Sequence, residues 1–326
     1  MRQKAPLRPV ALAATILTAA SGCDKPIPAS AAPAAAAAES AIAAPLTAID
    51  PAAPPHMLFH VFGERTDPRI MPLAALVDGE VRPLALSPAG WRTFDSLYHR
   101  PGAAYTVYRG GRAAGTARVR RGMWQTGDAP LYALPGCTNP IPLGAARLAA
   151  PPRVGFLVEY LASDATLGAR PPHPVEHLGD AQAVARIVGE RVAEAAGLEA
   201  AALRELDFRA SAVRTGAGTP TLVITYIDPS ATTRDADDRA VYLFILADLV
   251  DGRYIPTYTR LVRGAASSAE YRRYVDHLDL TGDGVDELVL EGWSSGRESF
   301  MLILQRRQGQ WIEILRSQPS WCGGLG

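Results

Sequence analysis

The sequence predicts a mainly β protein of the α+β class, built from antiparallel meanders with a few helices. Three observations predict it. Short runs rich in Val, Ile, Leu and Tyr recur from Leu73 to Leu315. Two-residue turn signals separate several of them, Asp78-Gly79, Gly110-Gly111, Asp251-Gly252 and Gln308-Gly309, and such dipeptides suit tight hairpins. Helical periodicity with a start signal occurs only after Ser87 and after Asp180.

The elements follow in chain order. Residues 1–22 read as an export signal. Arg2, Lys4 and Arg8 make a positive start, and Val10–Thr18 is an apolar stretch too short to span a bilayer. Residues 23–55 are a tether: 21 of the 32 residues from 24 to 55 are Ala or Pro, and seven prolines exclude a continuous helix. The folded part divides into an α+β region, 56–197, and a β-repeat region, 198–326. Leu73–Val77 and Glu80–Leu84 flank the Asp78-Gly79 turn. Ser87-Pro88 is an N-cap followed by a first-turn proline, and Trp91, Phe94, Leu97 and Tyr98 give the helix one aromatic face. Tyr105–Tyr108 and Thr116–Val119 form a second hairpin around Gly110-Gly111. The helix capped by Asp180 carries Val184, Ile187, Val188, Val192 and Ala195 on one stripe and stops at Gly197.

From Leu203 onward the pattern repeats. Thr221–Tyr226, Val241–Leu246 and Tyr254–Tyr258 form one unit; Glu287–Trp293, Phe300–Leu304 and Trp311–Leu315 form the next. Neither unit buries much alone, so each must stack on the other or on the helices.

Charge excludes some classes. Lys+Arg and Asp+Glu are 33 each, which argues against a nucleic-acid binder. Only Lys4 and Lys25 are lysines, so the folded part has no lysine for a phosphate loop or a Schiff base.

Ala20-Ser21-Gly22-Cys23 resembles the lipobox of bacterial lipoproteins, although leucine is preferred where Ala20 stands. The resemblance implies acylation of Cys23, a membrane anchor and a place in the bacterial envelope; the alternative is an ordinary secretory signal cut nearby. With Cys23 acylated, Cys137 and Cys322 remain in an oxidising compartment. A disulfide between them would add up to about 5 kcal/mol, and two free thiols are the alternative.

One segment carries specific chemistry. Asp279-Leu-Thr-Gly-Asp-Gly-Val-Asp-Glu287 places oxygen donors on Asp279, Thr281, Asp283 and Glu287, with the Val285 carbonyl between them. Calcium takes six to eight oxygens, and glycines let a short loop coil around it. Position 12 of the loop is Leu290, in a β pattern, so this is not an EF-hand. Residues 272–316 instead resemble the calcium-loop repeat of FG-GAP and VCBS-type proteins, which form integrin-like propeller blades and occur in exported bacterial proteins. That resemblance implies blade-like meanders and a calcium ion between the first two strands. Thr281 stands where the family has Asp or Asn, which implies weak affinity, about 0.1–1 mM. An Asp-Gly-rich turn without metal is the alternative. Asp286 reads as an outer or solvated residue.

Two enzyme-like patterns need context. Gly292-Trp-Ser294-Ser-Gly296 fits a nucleophile elbow, but a β pattern follows it and no histidine comes after Ser294. His173-Pro-Val-Glu176-His177 fits a zinc-peptidase signature, yet Pro171, Pro172 and Pro174 oppose the helix that chemistry requires. The expected function is therefore an exported, lipid-anchored binding or scaffold protein, stabilised by calcium, with a protein or glycan ligand and no nucleic acid. The alternatives are a zinc-dependent envelope hydrolase using His173, Glu176 and His177, or a subunit of an envelope complex.

Overall fold

The computed structural model describes residues 42–124, 143–152, 154–167, 180–216, 218, 220–228, 239–266, 269–294 and 299–317. Cys23, Cys137, Cys322, His173, Glu176 and His177 lie outside them.

The first half is a closed barrel. Its strands are β1 (His56–Glu64), β2 (Asp67–Val77), β4 (Ala104–Tyr108), β5 (Ala113–Arg121), β6 (Gly144–Leu148) and β7 (Leu157–Ser163). They run in the order β1-β7-β4-β5-β6-β2, and β1 also pairs with β2, so six antiparallel strands close on themselves. The short β3 (Glu80–Arg82) extends from β2. Met57, Phe59 and Val61 point inward with Tyr105, Val107 and Ala162. Helix α1 (Pro88–Tyr98) adds Phe94 and Tyr98 to this core. Its start is as predicted: Ser87 Oγ accepts from the Gly90 N–H at 3.1 Å, and Pro88 begins the helix.

Part of the predicted tether belongs to this barrel. Leu46 bridges to Leu84, and Ile49 is buried among the barrel residues. Two apolar residues in an Ala/Pro-rich stretch are enough to dock it, so the described fold begins before the expected boundary at 56.

The second half adds two helices and two sheets. Helix α2 (Ala181–Ala195) and the short α3 (Ala200–Arg204) precede β8 (Asp207–Val213), β9 (Thr221–Ile227), β10 (Arg239–Val250) and β11 (Arg253–Ala265). Then follow β12 (Glu270–Leu278), β13 (Glu287–Ser294), β14 (Ser299–Arg307) and β15 (Gln310–Arg316). Each group of four is an antiparallel meander with its strands in chain order. The predicted turns recur as left-handed pairs: Asp78 and Gly79, Asp251 and Gly252, and Gln308 and Gly309 all have positive φ, the conformation of a type I′ hairpin turn.

These parts stack in layers. Leu222, Ile224 and Tyr226 of β9 face α2, while Val223 between them faces the second meander. In the second meander Leu288 and Leu290 face the first, whereas Val289 faces the outer wall of the barrel with Met301 and Ile303. Apolar burial at roughly 25 cal/mol per Å² drives each contact. Helix α2 meets the sheet through Val184, Val188 and Val192 of the predicted stripe together with the small residues Ala181, Ala185, Gly189 and Ala193, while Ile187 is 56% exposed and Ala195 also faces outward. A Cβ on Gly189 would lie 2.5 Å from the Tyr226 ring, so small residues let the helix settle closely on the sheet. Asp180 makes no side-chain cap bond.

Polar ties, one buried and one partly buried, set the register between layers. Asp248 of β10 is 4% exposed; it accepts from the Thr221 and Thr257 hydroxyls at 2.5 and 2.7 Å and from Trp311 Nε1 at 3.1 Å. Trp311 comes from β15, so this carboxylate links the two meanders. Arg273 of β12 links the second meander to the barrel, bonding Glu159 of β7 at 2.6 and 2.8 Å and Glu291 at 2.5 Å. Burial opposes ionisation of Glu159, but its bonds to Arg273 and His60 prevail and hold its carboxyl down at about 2.

Replacing the Asp248 carboxylate leaves the Thr221 hydroxyl and Trp311 Nε1 without their acceptor and the Thr257 hydroxyl with only the Leu246 carbonyl at 3.3 Å. Asp248→Ala is expected to lower the unfolding free energy by about 3 kcal/mol in urea titrations. A loss below about 0.5 kcal/mol contradicts the role given to it.

Candidate metal centre

The acidic segment lies between β12 and β13, the first two strands of the second meander. Gly282 and Gly284 have positive φ and allow the chain to coil. Asp279 then turns into the loop: its Oδ1 accepts from the Gly282 N–H at 2.7 Å and its Oδ2 from the Gly284 N–H at 3.1 Å. Glu287 closes the far side, with Oε2 accepting from the Leu280 N–H at 2.8 Å and Oε1 from the Thr281 hydroxyl at 3.0 Å. Asp279, Thr281 and Glu287 thus line the inside of one turn. Asp283 sits at the exposed rim and accepts from the Val285 N–H at 2.8 Å. Gln305 of β14, which no spacing in the sequence marks, reaches Thr281 Oγ1 at 3.4 Å.

The residues fit calcium in chemistry. The donors are oxygens, three of them carboxylates, on one strand-to-strand turn. Burial pushes Glu287 up to about 7, and the Asp283 and Asp279 charges push in the same direction against its two hydrogen bonds. A cation among these carboxylates would reverse that penalty. Among the described residues, no three His, Cys, Asp or Glu side chains converge closely enough to form a metal cluster. The carboxylates are drawn onto loop N–H groups.

The loop is also a junction. The Asp286 N–H donates to the Thr215 carbonyl at 2.6 Å, tying it to the β8–β9 connection of the first meander. A Cβ on Gly79, in the β2–β3 turn of the barrel, would lie 3.3 Å from the Thr281 carbonyl. A Cβ on Gly111, in the β4–β5 turn, would lie 2.9 Å from Asp286 Oδ2 and 3.0 Å from His277 Nε2. The glycine at 111 lets the barrel hairpin approach this buried pair. Asp276 anchors the same hairpin by accepting from the Gly110 N–H at 2.8 Å, and burial pushes its carboxyl up to about 6.

Asp286 corrects an expectation. It is 3% exposed and so not solvated, and its Oδ2 lies 3.6 Å from His277 Nε2. His277 is fully buried and bonds the Tyr274 hydroxyl through Nδ1 at 2.5 Å. No spacing in the sequence singled out His277, because its partners come from a bulged strand, a loop and a distant hairpin.

The enzyme-like patterns separate accordingly. Gly292 is in the body of β13 opposite Phe300, whose ring a Cβ would meet at 2.2 Å. Its glycine serves packing, and Ser294 ends the strand. No helix of the described residues is long and apolar enough to cross a membrane. Comparison of the chain with protein-family profiles, with curated proteins and with solved structures gives no match.

A carboxyl whose folded value lies above its unfolded one binds its proton more tightly in the folded state. The metal-free protein is therefore expected to lose stability from Glu287 as pH rises from about 4.5 through 7. In chelator, Glu287→Gln should exceed the parent by about 2 kcal/mol near pH 8 and lose that advantage near pH 5. A variant equally destabilised at both values contradicts the assignment.

Proposed function

We propose that the chain is an exported bacterial-envelope lipoprotein, anchored through Cys23, whose folded part binds a partner without catalysis. On this reading the two meanders are blade-like units of the FG-GAP or VCBS type, the second organised by calcium. The supporting observation is the place of the acidic loop. It joins the first two strands of its meander and touches both the other meander and the barrel.

Asp279, Asp283 and Glu287 would hold the ion, with the Thr281 hydroxyl and the Val285 carbonyl. When bound, calcium supplies positive charge among the carboxylates and no reaction. Asp279 and Glu287 orient the loop backbone, and Asp286 and Asp276 carry that order to the neighbouring hairpins. A charge that locks a junction is suited to holding a recognition surface in one shape.

Calorimetric titration of calcium into chelator-stripped mature protein tests this reading. One site is expected with Kd of about 0.1–1 mM, and saturation should add about 2 kcal/mol of stability. Asp279→Asn should weaken binding at least about tenfold. Absence of heat and an unchanged melting temperature at about 10 mM calcium reject it.

A further inference from the structure

The two meanders part at the end away from the acidic loop. There the start of β8 and the end of β9 face the start of β12 and the end of β13 across a cleft of about 580 Å³. That volume is in the range of small-molecule sites.

Its walls are of two kinds. Trp293 and Tyr274 form an aromatic side. Trp293 stacks on the buried Tyr271 ring at 5.5 Å and 20°, which fixes the orientation of the indole. The opposite side is polar: Arg209 and Ser211 project from the exposed face of β8, with Thr225 beside them on β9. Arg272 and Arg273 also line the cleft, and the acidic groups on it are Asp207 and Asp228, so the lining has one more cation than anion.

Arg272 stands apart from the others. It is 2% exposed and bonds Glu313 through Nη2 at 2.9 Å. Its Nε and Nη1 are buried and have no hydrogen-bond partner among the described residues. Buried guanidinium donors left unmatched cost free energy that an acceptor would recover. Arg273, by contrast, is already committed to Glu159 and Glu291.

We propose that this cleft binds an acidic saccharide, a hexuronic acid or a short oligomer of one. The carboxylate meets the arginine side, a pyranose face lies on Trp293 and Tyr274, and hydroxyls reach Ser211, Thr225 and the two aspartates. Aromatic rings stack on apolar faces, whereas guanidinium forks suit planar carboxylates. The proposal rests on the reading of the chain as a binding protein, but none of the lining residues is a proposed calcium ligand.

Calorimetry of the mature protein with a galacturonate tetramer, beside an uncharged glucose tetramer, tests it. The acidic tetramer should bind with submillimolar Kd and the neutral one at least about tenfold more weakly. Arg209→Ala, on an exposed edge strand, should weaken binding about tenfold, and Trp293→Phe should weaken it less. Absence of binding at about 10 mM, equal binding of both tetramers, or an Arg209→Ala variant that binds like the parent overturns the site. The incubated tetramer is then analysed by chromatography. Recovery intact supports a binding site, whereas cleavage overturns the non-catalytic reading while leaving the cleft as the site.

Discussion

The sheet β12–β15 is buried on both faces, and the rest of the fold answers that constraint. Alternate residues of its central strands point to different neighbours: Leu288, Leu290 and Leu302 to the first meander, Val289, Met301 and Ile303 to the barrel. A sheet with two apolar faces cannot stand against water on either side. The first meander covers one face and is itself covered by α2, while the barrel covers the other. Hydrophobic burial is non-directional, so it does not choose how these layers slide. Asp248 and Arg273 supply direction, because each joins side chains of adjacent layers through charged hydrogen bonds.

The acidic loop follows from the same stacking. It leaves the central sheet at the point where the β2–β3 and β4–β5 turns of the barrel and the β8–β9 connection come together. Backbone at such a junction needs internal partners, and the Asp279 and Glu287 carboxylates provide them. The turn carries four carboxylates, Asp279, Asp283, Asp286 and Glu287, with Glu287 pushed upward by its burial and its neighbours. On the proposed reading, a weak divalent-ion site would be a means of settling charge concentrated on this loop. The cleft lies at the other end of the two meanders, between the start of β8 with the end of β9 and the start of β12 with the end of β13.

Much of the C-terminal half was legible in the sequence because its signals are local. Asp251-Gly252 and Gln308-Gly309 are hairpin turns in the structure, and the runs from Thr221 to Leu315 are the meander strands. Barrel closure was not legible. Strand β1 is buried on both sides, so His56–Val61 lacks polar alternation, and Gly144–Leu148 of β6 is built of small residues with little strand character. The face of α2 was legible through Val184, Val188 and Val192, but the small residues beside them were not, and Gly189 against Tyr226 sets how closely the helix settles. The loop residues Asp279 to Glu287 were visible as a set of donors. Asp276 and His277 stand just before the loop, but the barrel hairpin at Gly110-Gly111 that they and Asp286 meet comes beside them only through long-range packing. The cleft is likewise made by residues of four strands, each unremarkable in its own segment.

Native-state amide hydrogen exchange of the protein tests the central claim, that the two-faced sheet holds the layers together. The amides of Leu288–Leu290 and Met301–Leu304 are expected to exchange only through global unfolding, with the same steep denaturant dependence as Leu58–Val61 of the barrel. Exchange of those meander amides through a local opening with shallow denaturant dependence, while the barrel amides stay protected, would contradict it.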